Sequence, residues 1–302
     1  MSTTWKHEGT FYIPAAIERV FAACCEPAQL RAWFAEHVDV GSAVGQPFRF
    51  WGRHTLDTAS PDAADQRLLA FEPQRRIAFS WTWSGVPGEV EWSFAPGVMP
   101  TFDCGGPAEE KPPQPAIEIK LTHTLHGDLP YPRPRQLVDD SWRLAFGNLS
   151  AHVLGDGNVV LPDYADPEPQ VRLSVVIDAP PAAVWKALTE PALLNQWLAR
   201  AAEVELHAGG KFDLGWAPSP QAMCRVLEVE PNRRLRISWP DWRGQAQVPD
   251  QHVTFELVPQ GDGTRVDFVH GGFVRPADRS DYQQGWTGFL DGLRDLCQGA
   301  AR

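Results

Sequence analysis

Apolar and polar residues alternate along several stretches of the chain. Ile77, Phe79, Trp81 and Trp83 form one such run, Val90, Trp92 and Phe94 a second, and Ile117, Ile119, Leu121 and His123 a third. The period of two returns at Leu235, Ile237 and Trp239, at Val253, Phe255 and Leu257, and at Val266, Phe268 and His270. Successive strand side chains leave on opposite faces, so this pattern predicts strands with one buried side. Two other stretches have helical spacing. Trp142, Ala145, Phe146, Leu149 and Val153 fall at i, i+3, i+4, i+7 and i+11, and Trp286, Phe289, Leu290, Leu293 and Cys297 repeat those steps. Each predicts a long helix with one apolar stripe. Earlier in each half, a short strand (about 8–13, about 171–178) leads into two short helices. Pro14 and Pro180 suit helix starts, and Pro27 and Pro191 restart the chain as a second helix.

These two series are copies of one unit. Val20-Phe21, Glu26-Pro27, Leu30 and Trp33 return 164 residues later as Val184-Trp185, Glu190-Pro191, Leu194 and Trp197. Arg67 to Trp81 (RLLAFEPQRRIAFSW) matches Arg225 to Trp239 (RVLEVEPNRRLRISW) at an offset of 158, and Trp142 matches Trp286 at 144. The offset falls because the first copy carries the Pro- and Gly-rich stretch Ala95 to Pro115, replaced in the second by the tight turn Pro259 to Gly263. Between the copies lies an acidic segment, GDGNVVLPDYADPEP, with the composition of a linker. The 302 residues therefore divide into a first domain at 1–154, a linker at 155–167 and a second domain at 168–302.

A strand, two short helices, five or six strands and a long helix predict an α+β unit. A curved antiparallel sheet buries its apolar face against the long C-terminal helix, the one element large enough to cover it. The chain is then two tandem helix-grip domains. Where a curling sheet and a straight helix diverge, a ligand cavity is expected.

Composition narrows the partners. With 27 basic and 38 acidic residues the formal charge is −11, which excludes a general attraction for nucleic acid or anionic membranes. Hydrophobic residues at 43% and charged residues at 22% are those of an ordinary globular protein, and no apolar run approaches the ~20 residues of a membrane-inserted helix. The N-terminal MSTTWKHEGTFYIP has no basic stretch followed by an apolar one, so the expected location is cytoplasmic. The scattered Cys24, Cys25, Cys104, Cys224 and Cys297 read as reduced thiols. Without export, the sequon Asn148-Leu149-Ser150 is a chance match.

Several of these blocks together carry a family resemblance: VF/VW, then EP…L…W, Gly45-Gln46-Pro47-Phe48 and Gly209-Gly210-Lys211-Phe212, EPxRR…SW, TRVDFVHGGF from Thr264 to Phe273, and the GW…FL…L helix from Gly285 to Leu293. The chain resembles the SRPBCC or START-like (Bet v 1-like) superfamily, and within it the group named for the C-terminal domain of the activator of heat-shock protein 90 ATPase. The resemblance covers nearly all of both copies. It implies the helix-grip fold, hydrophobic ligand binding and a chaperone connection as expectations. Duplicated units of this kind can also pack as an intramolecular pseudo-dimer. The first copy departs from the pattern with His123-Thr124-Leu125-His126-Gly127 where the second has His270-Gly271-Gly272-Phe273.

His123 and His270 occupy equivalent strand ends, in phase with buried neighbours. One reading makes them hydrogen-bonding or acid–base groups in a cavity; the plainer one makes them satisfied core histidines. No metal site is expected, because His123 and His126 face opposite sides of a strand. Thirteen tryptophans are the compositional surplus. Trp33, Trp197, Trp142 and Trp286 recur in both copies and suit the core. Trp51, Trp83, Trp92, Trp216 and Trp242 do not recur, which makes them the leading cavity-lining candidates. Trp81, Trp142, Trp239, Trp286, Phe146, Phe255, Phe273, Phe289 and Met223 join them as further candidates, with His123 and His270. No Gly-x-Ser-x-Gly elbow, Cys–His pair or phosphate loop occurs. Arg75-Arg76 and Arg233-Arg234 read as turn and edge features, and no cofactor is expected. The sequence thus points to binding of a small hydrophobic or aromatic molecule, such as a lipid or polyketide, for transport or sequestration. A cyclase or hydratase using a pocket histidine, or a chaperone-associated interaction module, are the alternatives.

Overall fold

In the computed structural model, which describes residues 4–56, 58, 60–61, 66–100, 114–130, 134–155, 159–166, 170–217, 222–240, 251–273 and 276–299, the chain forms two units, Met1–Asp166 and Pro167–Arg302. The first runs β1 (Thr4–Ile13), α1 (Ile17–Cys25), α2 (Pro27–Trp33), β2 (His37–Val40), β3 (Phe48–Trp51), β4 (Leu68–Glu72), β5 (Arg76–Ser80), β6 (Gly88–Val98), β7 (Pro115–His126) and α3 (Pro134–Leu154). Its main sheet has the antiparallel order β1-β7-β6-β5-β4, and β2 and β3 form a separate ribbon tied to it by the Pro47–Arg67 bridge. The second repeats this order as β8 (Gln170–Ile177), α4 (Pro181–Thr189), α5 (Pro191–Trp197), β9 (Glu203–Val204), β10 (Lys211–Asp213), β11 (Cys224–Glu230), β12 (Arg234–Trp239), β13 (Gln251–Gln260), β14 (Gly263–Gly271) and α6 (Pro276–Cys297), with one sheet ordered β8-β14-β13-β12-β11-β10-β9. The α+β helix-grip architecture expected from the periodicities is the one found.

The alternating positions are the buried ones. Ile77, Phe79, Trp81 and Trp83 on and after β5, and Leu235, Ile237 and Trp239 on β12, are all buried, as is the α3 stripe from Trp142 to Val153. On α6, Trp286, Leu290 and Leu293 are buried, while Phe289 and Cys297 at the edges of the stripe are half-buried. The short helices begin where proline supplies a preset φ and needs no N–H partner: α2 and α5 have Pro27 and Pro191 in their first turn, and Pro180 caps α4. The Glu-Pro-x-Arg turns are also matched, with Gln74 and Asn232 both at φ 59°.

The duplication extends to single hydrogen bonds. Trp33 Nε1 donates to Ala23 O at 2.9 Å, and Trp197 Nε1 to Ala187 O at 2.9 Å. Arg67 N donates to Ser80 Oγ at 3.0 Å, and Arg225 N to Ser238 Oγ at 2.9 Å.

Part of the acidic segment between the copies belongs to the first unit. Residues 159–166 lie as a strap against α3 and the loop after β3. No helix among the described residues is long and apolar enough to cross a membrane.

Candidate functional site

The last long strand and the long helix of each unit are joined by one buried bond. Trp142 Nε1 donates to His123 Nδ1 at 3.1 Å, and Trp286 Nε1 to His270 Nδ1 at 2.9 Å. An imidazole that accepts at Nδ1 carries its proton on Nε2. Both rings are fully buried, and burial pushes each down to about pH 3, so both stay neutral in the physiological range.

The copies differ at the other ring nitrogen. His270 Nε2 donates to Gln251 Oε1 at 3.1 Å, whereas His123 Nε2 has no hydrogen-bond partner among the described residues. Strand register explains the difference. His270 pairs with Val253 and His123 with Val90, so the position two residues earlier is Gln251 in one copy and Gly88 in the other. A side chain does not fit at Gly88, where a Cβ would stand 2.6 Å from Thr124 O.

A cavity of ≈ 40 Å³ lies in the first unit between α3 and the sheet. At ~10–15 Å³ per water this is room for about three. Its walls are aromatic: Trp33 and Phe34 at the end of α2, Trp81 and Trp83 after β5, and Trp142 on α3. Ala145, Leu144, Ser141 and Asn148 complete the α3 side, and His54, Thr55 and Leu56 enter from the loop after β3. Trp83 is held there by a hairpin turn, bridged to Val86, whose central residues Ser84 and Gly85 have φ of 52° and 77°.

The strap closes one side. Pro162 and Tyr164 line the cavity, and polar groups fix them in place. Asn148, buried in α3, reads the backbone of Val160 in both directions: its Nδ2 donates to Val160 O at 3.0 Å and its Oδ1 accepts from Val160 N at 2.8 Å. His54 Nδ1 donates to Pro162 O at 2.6 Å, and Tyr164 N to Arg53 O at 2.8 Å.

The expected lining residues are dispersed. Trp81, Trp83 and Trp142 face the cavity. Trp92, Phe146 and His123 are core: Trp92 packs edge-on against Trp142 at 6.0 Å, and Phe146 stacks on Phe11 at 4.1 Å. Trp51 stands half-buried on β3 against His37, outside the lining, because Phe48 and Phe50 take the buried face of that strand and Trp51 the other. In the second unit Trp239, Phe273 and Trp286 pack around His270 as core and Phe255 packs edge-on against Trp286, while Trp216 and Phe289 stack at 5.8 Å and are only half-buried, as is Met223 before β11. Trp242 lies outside the described residues. Among the described residues no group of three or more potential metal ligands gathers.

His54, Thr55, Asn148, Pro162 and Tyr164 were not foreseen. Asn148 left a trace in the sequence: it is an amide inside an otherwise apolar helix stripe, where it lowers helix propensity and needs a partner. An aromatic and a proline in the acidic segment were the other hints.

The family model described as "Activator of Hsp90 ATPase homolog 1-like protein" matches residues 14–101 and 178–298. No curated protein matches the chain. Similar solved structures include protein MLL2253 from Mesorhizobium loti, 27% identical over 44% of this chain and 99% of that one, with a TM-score of 0.38. CalU16 from Micromonospora echinospora is 30% identical over 44% and 76%, with a TM-score of 0.37. DynU16, from the dynemicin biosynthetic locus, is 18% identical over 97% and 98%, with a TM-score of 0.39. With its two matched segments, one in each unit, the chain belongs to the Activator of Hsp90 ATPase homolog 1-like family and carries that domain in tandem.

Proposed function

We propose that the first unit binds a small, flat, largely apolar molecule between α3 and the sheet, for transport or sequestration. The observation that carries this reading is the cavity whose walls are Trp33, Phe34, Trp81, Trp83 and Trp142 and whose side is closed by a hydrogen-bonded strap. Stacked and edge-on indoles offer broad apolar area with an N–H at the rim, a wall suited to aromatic ligands. The cavity is smaller than such a ligand, so entry requires the strap or a ring to shift. Titration with a panel of aromatic and lipidic compounds, followed by Trp fluorescence and thermal stability, tests the proposal. A shift with aromatic compounds, reduced by Trp83→Ala, is expected; no shift with any compound would refute it.

The acid–base alternative finds no support in the geometry. His123 is fully buried, is bonded at Nδ1 and is absent from the cavity wall, so it has no path to a substrate proton. The family description supplies the other alternative, a chaperone partner, and a pull-down that recovers Hsp90 would favour it.

A further inference from the structure

Building on the binding role proposed for the first unit, we propose that its pocket selects planar compounds bearing a hydrogen-bond acceptor, aryl ketones or quinone-type carbonyls, over hydrocarbons of the same shape. Three lining residues hold a buried polar atom without a hydrogen-bond partner among the described residues: Thr55 Oγ1, Trp81 Nε1 and Trp83 Nε1. The residues are 7%, 6% and 3% exposed. An indole N–H can only donate, and a hydroxyl can donate as readily as accept. Two acceptors on the strap side already hold donors: Asn148 Oδ1 accepts from Val160 N, and Pro162 O from His54 Nδ1.

The surplus of donors continues behind the wall. The His123 ring lies nearly parallel to Trp83 at 5.6 Å and to Trp81 at 6.1 Å, and its Nε2–H is the donor that Gln251 satisfies in the other copy. Buried donors left without acceptors are rare because each forfeits its hydration with no return. The members of the cluster that line the cavity, Thr55, Trp81 and Trp83, are completed by whatever enters it. A carbonyl oxygen has two lone pairs, and the Trp81 and Trp83 rings stack with centroids 5.9 Å apart, close enough for one planar ligand to lie beside both. A hydrocarbon leaves the donors unpaired, and a ligand that only donates meets donors.

The test compares 1-indanone with indane, which differ by the carbonyl, by calorimetric titration into the full chain. 1-Indanone is expected to bind roughly tenfold or more tightly than indane. Trp81→Phe and Trp83→Phe each keep an aromatic ring in the wall and remove an N–H, so each should lower that ratio several-fold. Trp92→Phe, whose buried indole N–H lies outside the lining, should leave the ratio unchanged. In the unmutated protein, 1-indanone should also shift the Trp81 and Trp83 indole N–H resonances downfield and indane should not, a readout independent of how the variants fold. Equal affinity for the two compounds, or a ratio that survives both substitutions, overturns the acceptor preference while the binding role stands. Failure of both compounds while others of the aromatic panel bind overturns the acceptor preference alone, and failure of the whole panel overturns the binding role with it.

Discussion

Replacing Asn148 with alanine should release the strap without unfolding the first unit. The side chain makes two bonds to Val160, at 3.0 and 2.8 Å, and a typical bond contributes about 0.5–1.5 kcal/mol net, so the local loss is about 1–3 kcal/mol. The helix gains a little in return, because alanine exceeds asparagine in helix propensity by up to ~0.7 kcal/mol. The destabilisation is therefore confined to residues 159–166, which keep the Tyr164–Arg53 and His54–Pro162 bonds. Amide hydrogen exchange reads this directly. The Val160 amide should exchange roughly 5- to 150-fold faster in the variant, while amides of the β6–β7 ladder change little. Aromatic ligands should also associate faster, since Pro162 and Tyr164 form part of the wall they must pass. An unchanged Val160 rate would refute the clamp, and equal acceleration in β6 and β7 would mean that Asn148 supports the whole core instead.

Acid should weaken the protein by way of its buried histidines. Each folded-state value, about 3, lies below the unfolded value near 6.5, so the contribution is present above that value and is lost as pH falls from 6.5 toward 3. Between pH 7 and 5 the loss is about 2 kcal/mol per histidine, with His7, His152 and His252 acting in the same direction; equal urea midpoints at both pH values would contradict it. Trp142→Phe should destabilise the first unit by about 1–3 kcal/mol, because it leaves His123 Nδ1 buried without a donor. Calorimetry should move one transition only, with Trp286→Phe moving the other, and a common shift would argue against independent units. Gly210→Ala, whose Cβ would meet Glu205 O at 2.2 Å, should cost about 1–3 kcal/mol through backbone displacement, and a wild-type melting curve would show that the loop yields freely.

The sequence by itself determined the duplication, the element order and the buried face of nearly every element. Those properties follow from local periodicity: a strand sorts its side chains every second residue and a helix every three or four, so His123, Trp142 and Trp286 were legible as buried before any contact was known. What the tertiary structure decided was which buried rings border free space. Trp83 lines the cavity and Trp92 does not, though each stands in phase with the buried residues of its own run, because a cavity is the residue of how a curved sheet, a helix and a ribbon fail to meet. Trp51 left the site because β3 turns Phe48 and Phe50 into the core and Trp51 to the other face. The strap was hidden for another reason. Asn148 and His54 bind backbone groups of residues 159–166, and every residue offers the same carbonyl to such a bond, so nothing in the acidic segment's own letters could announce where it docks.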